Sequence, residues 1–230
     1  MRIVGIDPAW GYRNLDGLCF LEDRHFIKTL LLPGTETARE VLAFAPDRIA
    51  LDAPIVVPNE TGGRPADRLV ASHFHAQKIA CYPGNRKNCA RILELVEELT
   101  TAGFTATPDP SSPKTLTEVY PHLTIVRLFD LPERLLYKKG RVAQKRIVFK
   151  KLQALIRSYL GEKQFTFSPQ IEVLLSSPWT KGIEDQTDAV LCALNEHLHV
   201  SSRGRATTHL GCEKSGFIVY PLHPHDLAPS

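Results

Sequence analysis

Two aspartates in the first quarter of the chain share one setting. Asp7 closes the apolar run RIVGID and Asp52 closes RIALD; each is the only acid of its run and each opens a Pro-containing loop. In an open α/β sheet, ligands bind beyond the carboxyl ends of the parallel strands, so adjacent strands ending in these residues bring two carboxylates together. Such groups repel unless a proton or a cation lies between them. Hard divalent cations take oxygen ligands and share them readily with phosphate, so the chemistry suggested is a Mg2+ or Mn2+ site, one ion or two, acting on a phosphate ester. The late segment IEDQTDAVLCALNEH adds Asp185 and Asp188, three residues apart and therefore on one helical face, with small Ala189, Cys192 and Ala193 beside them. Such a helix can approach a sheet closely enough for Asp188 to join Asp7 and Asp52 as a metal ligand. Asp185 and Glu118, in TLTEVYPH, are the auxiliary catalytic carboxylates. Each acid also has a plain reading: a turn-initiating Asp, a first-turn helix acid or a strand-edge acid facing water.

The elements that must position these residues can be read from periodicity. Residues 2–7, 16–22 and 25–32 read as three strands joined by short turns, an antiparallel start. TETAREVLAFA reads as a helix capped by Thr35 or Thr37, and the strand through Ile49 and Leu51 follows as a parallel addition, giving βββαβ. Helices are expected from Pro65 to Gln77 and from about Cys89 to Thr101. A short strand carrying Glu118, a brief helix, a long helix to about Leu160 and a helix over 184–199 complete the pattern. In the long helix, Val148, Leu152, Leu155 and Tyr159 are expected inward and Arg146, Lys150 and Arg157 outward. GFIVYP near the end reads as an edge strand. The expected fold class is α/β: one domain over residues 1–230 with a mixed sheet of about five strands, an inserted helical pair around 65–102 and a polar insertion around 200–215.

Composition narrows the function classes. The 230 residues are 43% apolar and 23% charged, ordinary for a globular protein, and no apolar stretch is long enough for a membrane span. The first apolar run is strand-like and lacks the parts of a signal peptide. Five scattered cysteines fit free thiols, so a cytoplasmic location is expected. The nine His and five Cys lack paired zinc-ligand spacing. Walker A, G-x-G-x-x-G and G-x-S-x-G patterns are missing, which argues against P-loop, dinucleotide and α/β-hydrolase chemistry. The net charge of +3 is uneven: eight basic residues and no acid lie between Arg134 and Lys151, leaving 20 basic against 25 acidic residues elsewhere. That concentration suggests a polyanion contact, with a solvated helix face as the plain alternative.

The order GIDPAW, LDAPIVVP and DQTDAVLCAL resembles the RNase H-like superfamily, including RuvC-type resolvases and YqgF-type nucleases, in which such acids hold catalytic metals. More closely, the chain resembles domain-of-unknown-function family 429, described as predicted nucleases of RNase H fold. The matching elements are Gly5-Ile6-Asp7, Asp52-Ala53-Pro54 with Pro58, and Arg64 with Asp67. Glu118 with Pro121, Lys138-Lys139 with Arg141, Asp185 with Asp188-Ala189, and approximately Gly216 to Pro221 follow in order. The resemblance implies an RNase H-like fold and a metal-dependent nuclease acting on DNA or RNA. Lys138, Lys139, Arg141, Arg146 and Lys150, with Arg13 and Arg64, are then the phosphate contacts; Trp10 and Tyr12, beside Arg13, could stack a base. Two other classes fit the same acids: a non-catalytic nucleic-acid-binding or regulatory protein, and a phosphoryl-transfer enzyme acting on nucleotides. Oligomeric state is not encoded legibly.

Overall fold

A computed structural model describes residues 1–223. Strands β1 (Arg2–Asp7), β2 (Leu15–Glu22) and β3 (His25–Pro33) form an antiparallel meander, and helix α1 (Gly34–Ala43) returns the chain so that β4 (Arg48–Leu51) pairs parallel to β1. Helices α2 (Pro65–His73) and α3 (Ala90–Thr101) follow, then β5 (Thr105–Ala106), β6 (Thr115–Glu118), α4 (Pro121–Leu128), α5 (Val142–Glu162), β7 (Thr166–Phe167), α6 (Pro169–Leu174) and α7 (Lys181–Ser201). The result is a mixed seven-stranded sheet in the order β5-β6-β4-β1-β2-β3-β7, flanked by helices. Short β5 and β7 extend the expected five strands at the two edges. Strands β8 (Thr207–Cys212) and β9 (Gly216–Pro221) form a separate antiparallel pair, tied to the main sheet by a Val119–Val219 bridge. Residues 200–215, expected as a polar insertion, therefore contain a strand, and GFIVYP finds its partner there instead of at the sheet edge. None of the helices among the described residues is long and apolar enough to cross a membrane.

Strand side chains alternate between two faces, and that period of two assigns every residue of the sheet to one of two cores. Val4, Ile6, Leu18, Phe20, Ile49, Leu51 and Leu116 pack toward α1 and α3. Ile3, Cys19 and Leu21 pack on the other face, against α5 and α7. The parity continues to the strand ends: Asp7 and Asp52 fall on the α7 face with Ile3 and Ala50, whereas Asp16 and Glu118 fall on the α1/α3 face with Leu18 and Leu116.

Helix α7 lies unusually close to the sheet, because the residues between them have almost no side chain. A Cβ built on Gly5 would be 2.1 Å from the Ala189 carbonyl oxygen and 2.6 Å from the Ala193 nitrogen; one on Gly17 would be 2.5 Å from the Asp185 carbonyl oxygen. The helix begins at Lys181, capped by the Thr180 hydroxyl, which accepts from the Ile183 N–H at 3.2 Å. Asp188 therefore lies two turns inside the helix, beyond the reach of its N-terminal dipole, and a first-turn role does not account for it.

Three local expectations are corrected. Helix α1 starts after Pro33 without a side-chain cap, and Thr37 instead donates its hydroxyl to Asp16 at 2.7 Å. Helix α2 ends at His73, short of Gln77. The buried residues of α5 are Phe149, Leu152, Gln153, Ile156 and Leu160, one position out of phase with the expected stripe, while Arg157 turns back to pair with Glu172 at 2.6 Å. Gln153 enters the core because its amide satisfies the Leu174 and Ser177 carbonyls, a tertiary reason that apolar periodicity does not register.

Gly5→Ala is expected to lower stability by about 1–3 kcal/mol or more, since backbone atoms cannot yield to the new methyl. Gly161→Ala, in helix α5 with open space at its Cβ, should instead raise stability by about 0.5–1 kcal/mol. Urea unfolding of the two variants checks the pair.

Candidate functional site

Parity and close packing bring three acids to one point. Oxygen atoms of Asp7 at the end of β1, Asp52 just after β4 and Asp188 on α7 all lie within 4.8 Å of one another. The register between α7 and β4 is built from successive turns: Glu196 meets Arg48 at 3.3 Å, Cys192 packs on Ala50, and Asp188 reaches Asp52. Asp7 and Asp52 keep part of their surface, whereas Asp188 is fully buried. Asp7 and Asp52 line a cavity of about 530 Å³ that opens beyond the carboxyl ends of β1 and β4, and Asp188 lies buried behind them.

Lys138, from the segment between α4 and α5, enters the cluster. Its ammonium lies 2.6 Å from Asp188 and 3.5 Å from Asp52. Tyr137, next to it and fully buried, donates its hydroxyl to the other Asp188 oxygen at 2.7 Å. Burial works against the Lys138 charge, but Asp188, Asp52 and Asp7 outweigh it and raise the pKa well above the ordinary lysine value. Burial, then repulsion from Asp52, Asp188 and Asp185, pushes the Asp7 carboxyl well above the usual range despite Lys138. Asp52 is pushed up to about 6, again by burial first and by Asp188, with Lys138 opposing. His122, which lines the cavity, is held neutral: burial, aided by Lys138 and Arg134, lowers it to about 3.

The donor set fits a hard divalent cation. It consists of carboxylate oxygens from three elements, and Asp188 Oδ2 has no aligned hydrogen bond although the Lys138 ammonium is close. Opposite ligands of Mg2+ are separated by about 4.2 Å, and the three donor oxygens, within 4.8 Å of one another, are close enough to share one ion after small side-chain adjustment. Asp7, Asp52 and Asp188 are the residues that could hold it.

The other candidate residues fall in different places. Asp185 lines the cavity and pairs with Lys181, which also pairs with Glu184 at 3.0 Å. Glu118 lines the cavity too, but parity puts it on the opposite sheet face from Asp188, outside the carboxylate cluster. Its two oxygens accept from Arg64 at 2.5 and 2.7 Å, and one also accepts from the Ile55 N–H at 3.1 Å. Arg64, expected as a phosphate contact, is 1% exposed and is occupied by Glu118, Asp67 and the Val56 carbonyl; it braces the cavity wall. Arg13, Lys139, Arg141, Arg146 and Lys150 are exposed. Lys138, expected as a phosphate contact, pairs with Asp188 and Asp52 inside the acidic cluster. Tyr137, Lys181 and Tyr82 escaped sequence reasoning. Only Tyr137 left a signal, as the neighbour of the Lys-Lys element.

Fold and site together define a mixed α/β protein with an acidic cluster at the carboxyl ends of its parallel strands. The chain belongs to the family described as protein of unknown function (DUF429), whose model matches residues 5–213. Comparison with curated proteins and with solved structures gives no match.

The Asp52 shift has a sign that can be tested. A carboxyl whose folded pKa of about 6 exceeds its unfolded value binds its proton more tightly when folded, so its contribution is favourable below about pH 4 and is lost as pH rises through 6. In chelating buffer, Asp52→Asn should therefore match wild type near pH 4 and exceed it by up to about 3 kcal/mol at pH 7. Denaturation midpoints across that range measure the difference.

Proposed function

We propose that this protein is a divalent-metal-dependent phosphodiesterase acting on nucleic acid, built on an RNase H-like sheet. The observation that carries the reading is the convergence of Asp7, Asp52 and Asp188, two of which line a cavity. The βββαβ opening and the two aspartates at the ends of adjacent parallel strands support the superfamily resemblance. Asp7, Asp52 and Asp188 would hold Mg2+ or Mn2+, singly or as a pair, with Asp185 beside them. The cation supplies charge neutralisation at the phosphate and a more acidic bound water.

The chain's own groups account for the rest. Tyr137 fixes the Asp188 carboxylate through a hydrogen bond to one oxygen, leaving the other directed at the cluster. Lys138 and Lys181 line the cavity with Asp7 and Asp52 and would balance a phosphate that enters it. In hydrolysis a water oxygen bonds to phosphorus as the bond to the departing sugar oxygen breaks, and the proton given up by water ends on that leaving oxygen. Exposed Lys139 and Arg141, one and three residues beyond Lys138, continue the basic surface away from the cavity, with Arg146 and Lys150 further along α5. These would hold the backbone without reading sequence.

One observation favours a second reading. The Lys138 ammonium already neutralises part of the cluster, as expected if the acids serve a structural ion network in a nucleic-acid-binding protein without turnover. Lys138→Met separates the readings. Removing one partner of a buried ion pair costs about 3–5 kcal/mol, and under the structural reading Mg2+ or Mn2+ should not restore it. Under the catalytic reading the divalent ion should recover most of the loss, as followed by thermal unfolding.

The metal role itself is tested with Asp188→Asn. Saturating Mn2+ at about 100 times its Kd should stabilise wild type by about 2.7 kcal/mol, and the variant by a small fraction of that. Cleavage of a mixed panel of DNA and RNA oligonucleotides should fall at least about 100-fold in the variant. Equal metal stabilisation and equal turnover would remove Asp188 from the ligand set.

A further inference from the structure

The cavity above the acids is a chamber. Its volume of about 530 Å³ is in the range that encloses a single small ligand. Among the aromatic side chains that line it, two are exposed: Trp10, 37% exposed, and Tyr82, 66% exposed, with ring centroids 5.4 Å apart in an edge-to-face arrangement. They come from different loops, β1–β2 and α2–α3, and both loops are anchored from below. The Ala9 N–H donates to Asp16 at 2.8 Å, and buried Arg91 bonds both Asp16 and the Ala9 carbonyl. The second loop is held by the Gly84 N–H donating to Asp67 and by the Tyr120 hydroxyl donating to the Ala80 carbonyl. Large rings left facing solvent on anchored loops are suited to stacking against a flat ligand, as bases stack in single-strand-binding proteins. His122, 9% exposed, lines the same chamber, and its Nδ1 has no hydrogen-bond partner.

We propose that the chamber admits one unpaired nucleotide, its base stacked on the Trp10 ring, which Tyr82 meets edge-on, and its phosphate at the cation that Asp7, Asp52 and Asp188 would hold. The inference rests on the phosphodiesterase reading and narrows its substrate to single-stranded ends or extruded nucleotides, in place of intact duplex. A base held in a duplex reaches such a chamber only by leaving the stack, at a cost that an unpaired one avoids. A free nucleoside monophosphate presents the same chemistry and is distinguished by the assay.

The test measures binding of three probes, with Ca2+ as the cation: a labelled oligothymidylate, a duplex closed by hairpins at both ends, and thymidine monophosphate. The 230-residue chain is compared with its Trp10→Leu, Trp10→Phe and Tyr82→Leu variants, each checked for an unchanged unfolding midpoint. The expected result is tight binding of the single strand and at least about tenfold weaker binding of the closed duplex. Trp10→Leu should lose about 5- to 100-fold on the single strand, with Trp10→Phe restoring most of it. Thymidine monophosphate binding as tightly as the oligonucleotide would identify the free nucleotide as the source while retaining the chamber. Equal binding of single strand and closed duplex, no effect of Trp10→Leu, or no binding of either unpaired probe overturns the proposal. Cleavage assays with Mn2+ separate the two levels. Single-strand binding through Trp10 without any cleavage retains the chamber and removes the phosphodiesterase reading; duplex cleavage indifferent to Trp10→Leu does the reverse.

Discussion

The contact of helix α7 with the centre of the sheet is the constraint on which the site depends. A helix packed through ordinary side chains stands about 10 Å from a sheet, too far for a short aspartate to reach the strand ends. Here Gly5 and Gly17 on the strands and Ala189 and Ala193 on the helix remove that spacer, and backbone approaches backbone. The consequence is a zipper of polar and small residues along one line: Glu196 on Arg48, Cys192 on Ala50, Asp188 on Asp52. The buried Arg48–Glu196 pair at one end pins the register that places Asp188 at the other. Replacing such a pair with apolar residues can be energetically neutral, so its value here lies in fixing which turn of the helix faces which residue of the strand.

Electrostatics at the cluster oppose folding. Three carboxylates, one of them fully buried, are brought within 4.8 Å, and burial raises the cost of every ionised form. The raised Asp7 and Asp52 pKa values are that cost expressed as proton affinity. Lys138 offsets part of it, and Tyr137 anchors the carboxylate that no solvent reaches. A site that keeps such an imbalance spends stability on a stored negative potential, the condition under which a cation or a cation-bound phosphate binds strongly.

The opposite face of the sheet carries a different kind of polar network. Arg64 with Glu118 and Asp67, and Arg91 with Asp16, are buried and closely satisfied by side chains and backbone. Both networks bond directly to the loops that surround the cavity, at Ile55, Val56, Gly84 and Ala9. They tie irregular loops to the folded body by buried hydrogen bonds, which is what a chamber with walls formed by loops requires.

The sequence by itself determined the strand-ending positions of Asp7 and Asp52, the βββαβ opening, the pair α2 and α3, and the small-residue face of α7 that carries Asp188. These follow from local physics: apolar runs, Pro and Gly punctuation and helical spacing. Parity along β6 also contained the exclusion of Glu118 from the acid cluster, since Glu118 shares a face with Leu116 and not with Asp52's neighbour Ala50. Reading it needed only the register of β4 and β6. Only the tertiary structure decided the rest. Lys138 and Arg64 are both basic residues near acids in a charged sequence, and nothing local distinguishes a solvated lysine from one drawn into a carboxylate cluster, or a phosphate contact from a buried brace. Those fates depend on which distant acid lies within a few ångströms, and Coulomb interactions select partners by distance in space, not by separation along the chain. Trp10 and Tyr82, 72 positions apart, become an edge-to-face pair for the same reason: their loops are anchored to the folded body by Asp16, Arg91 and Asp67, and no period in the sequence connects them.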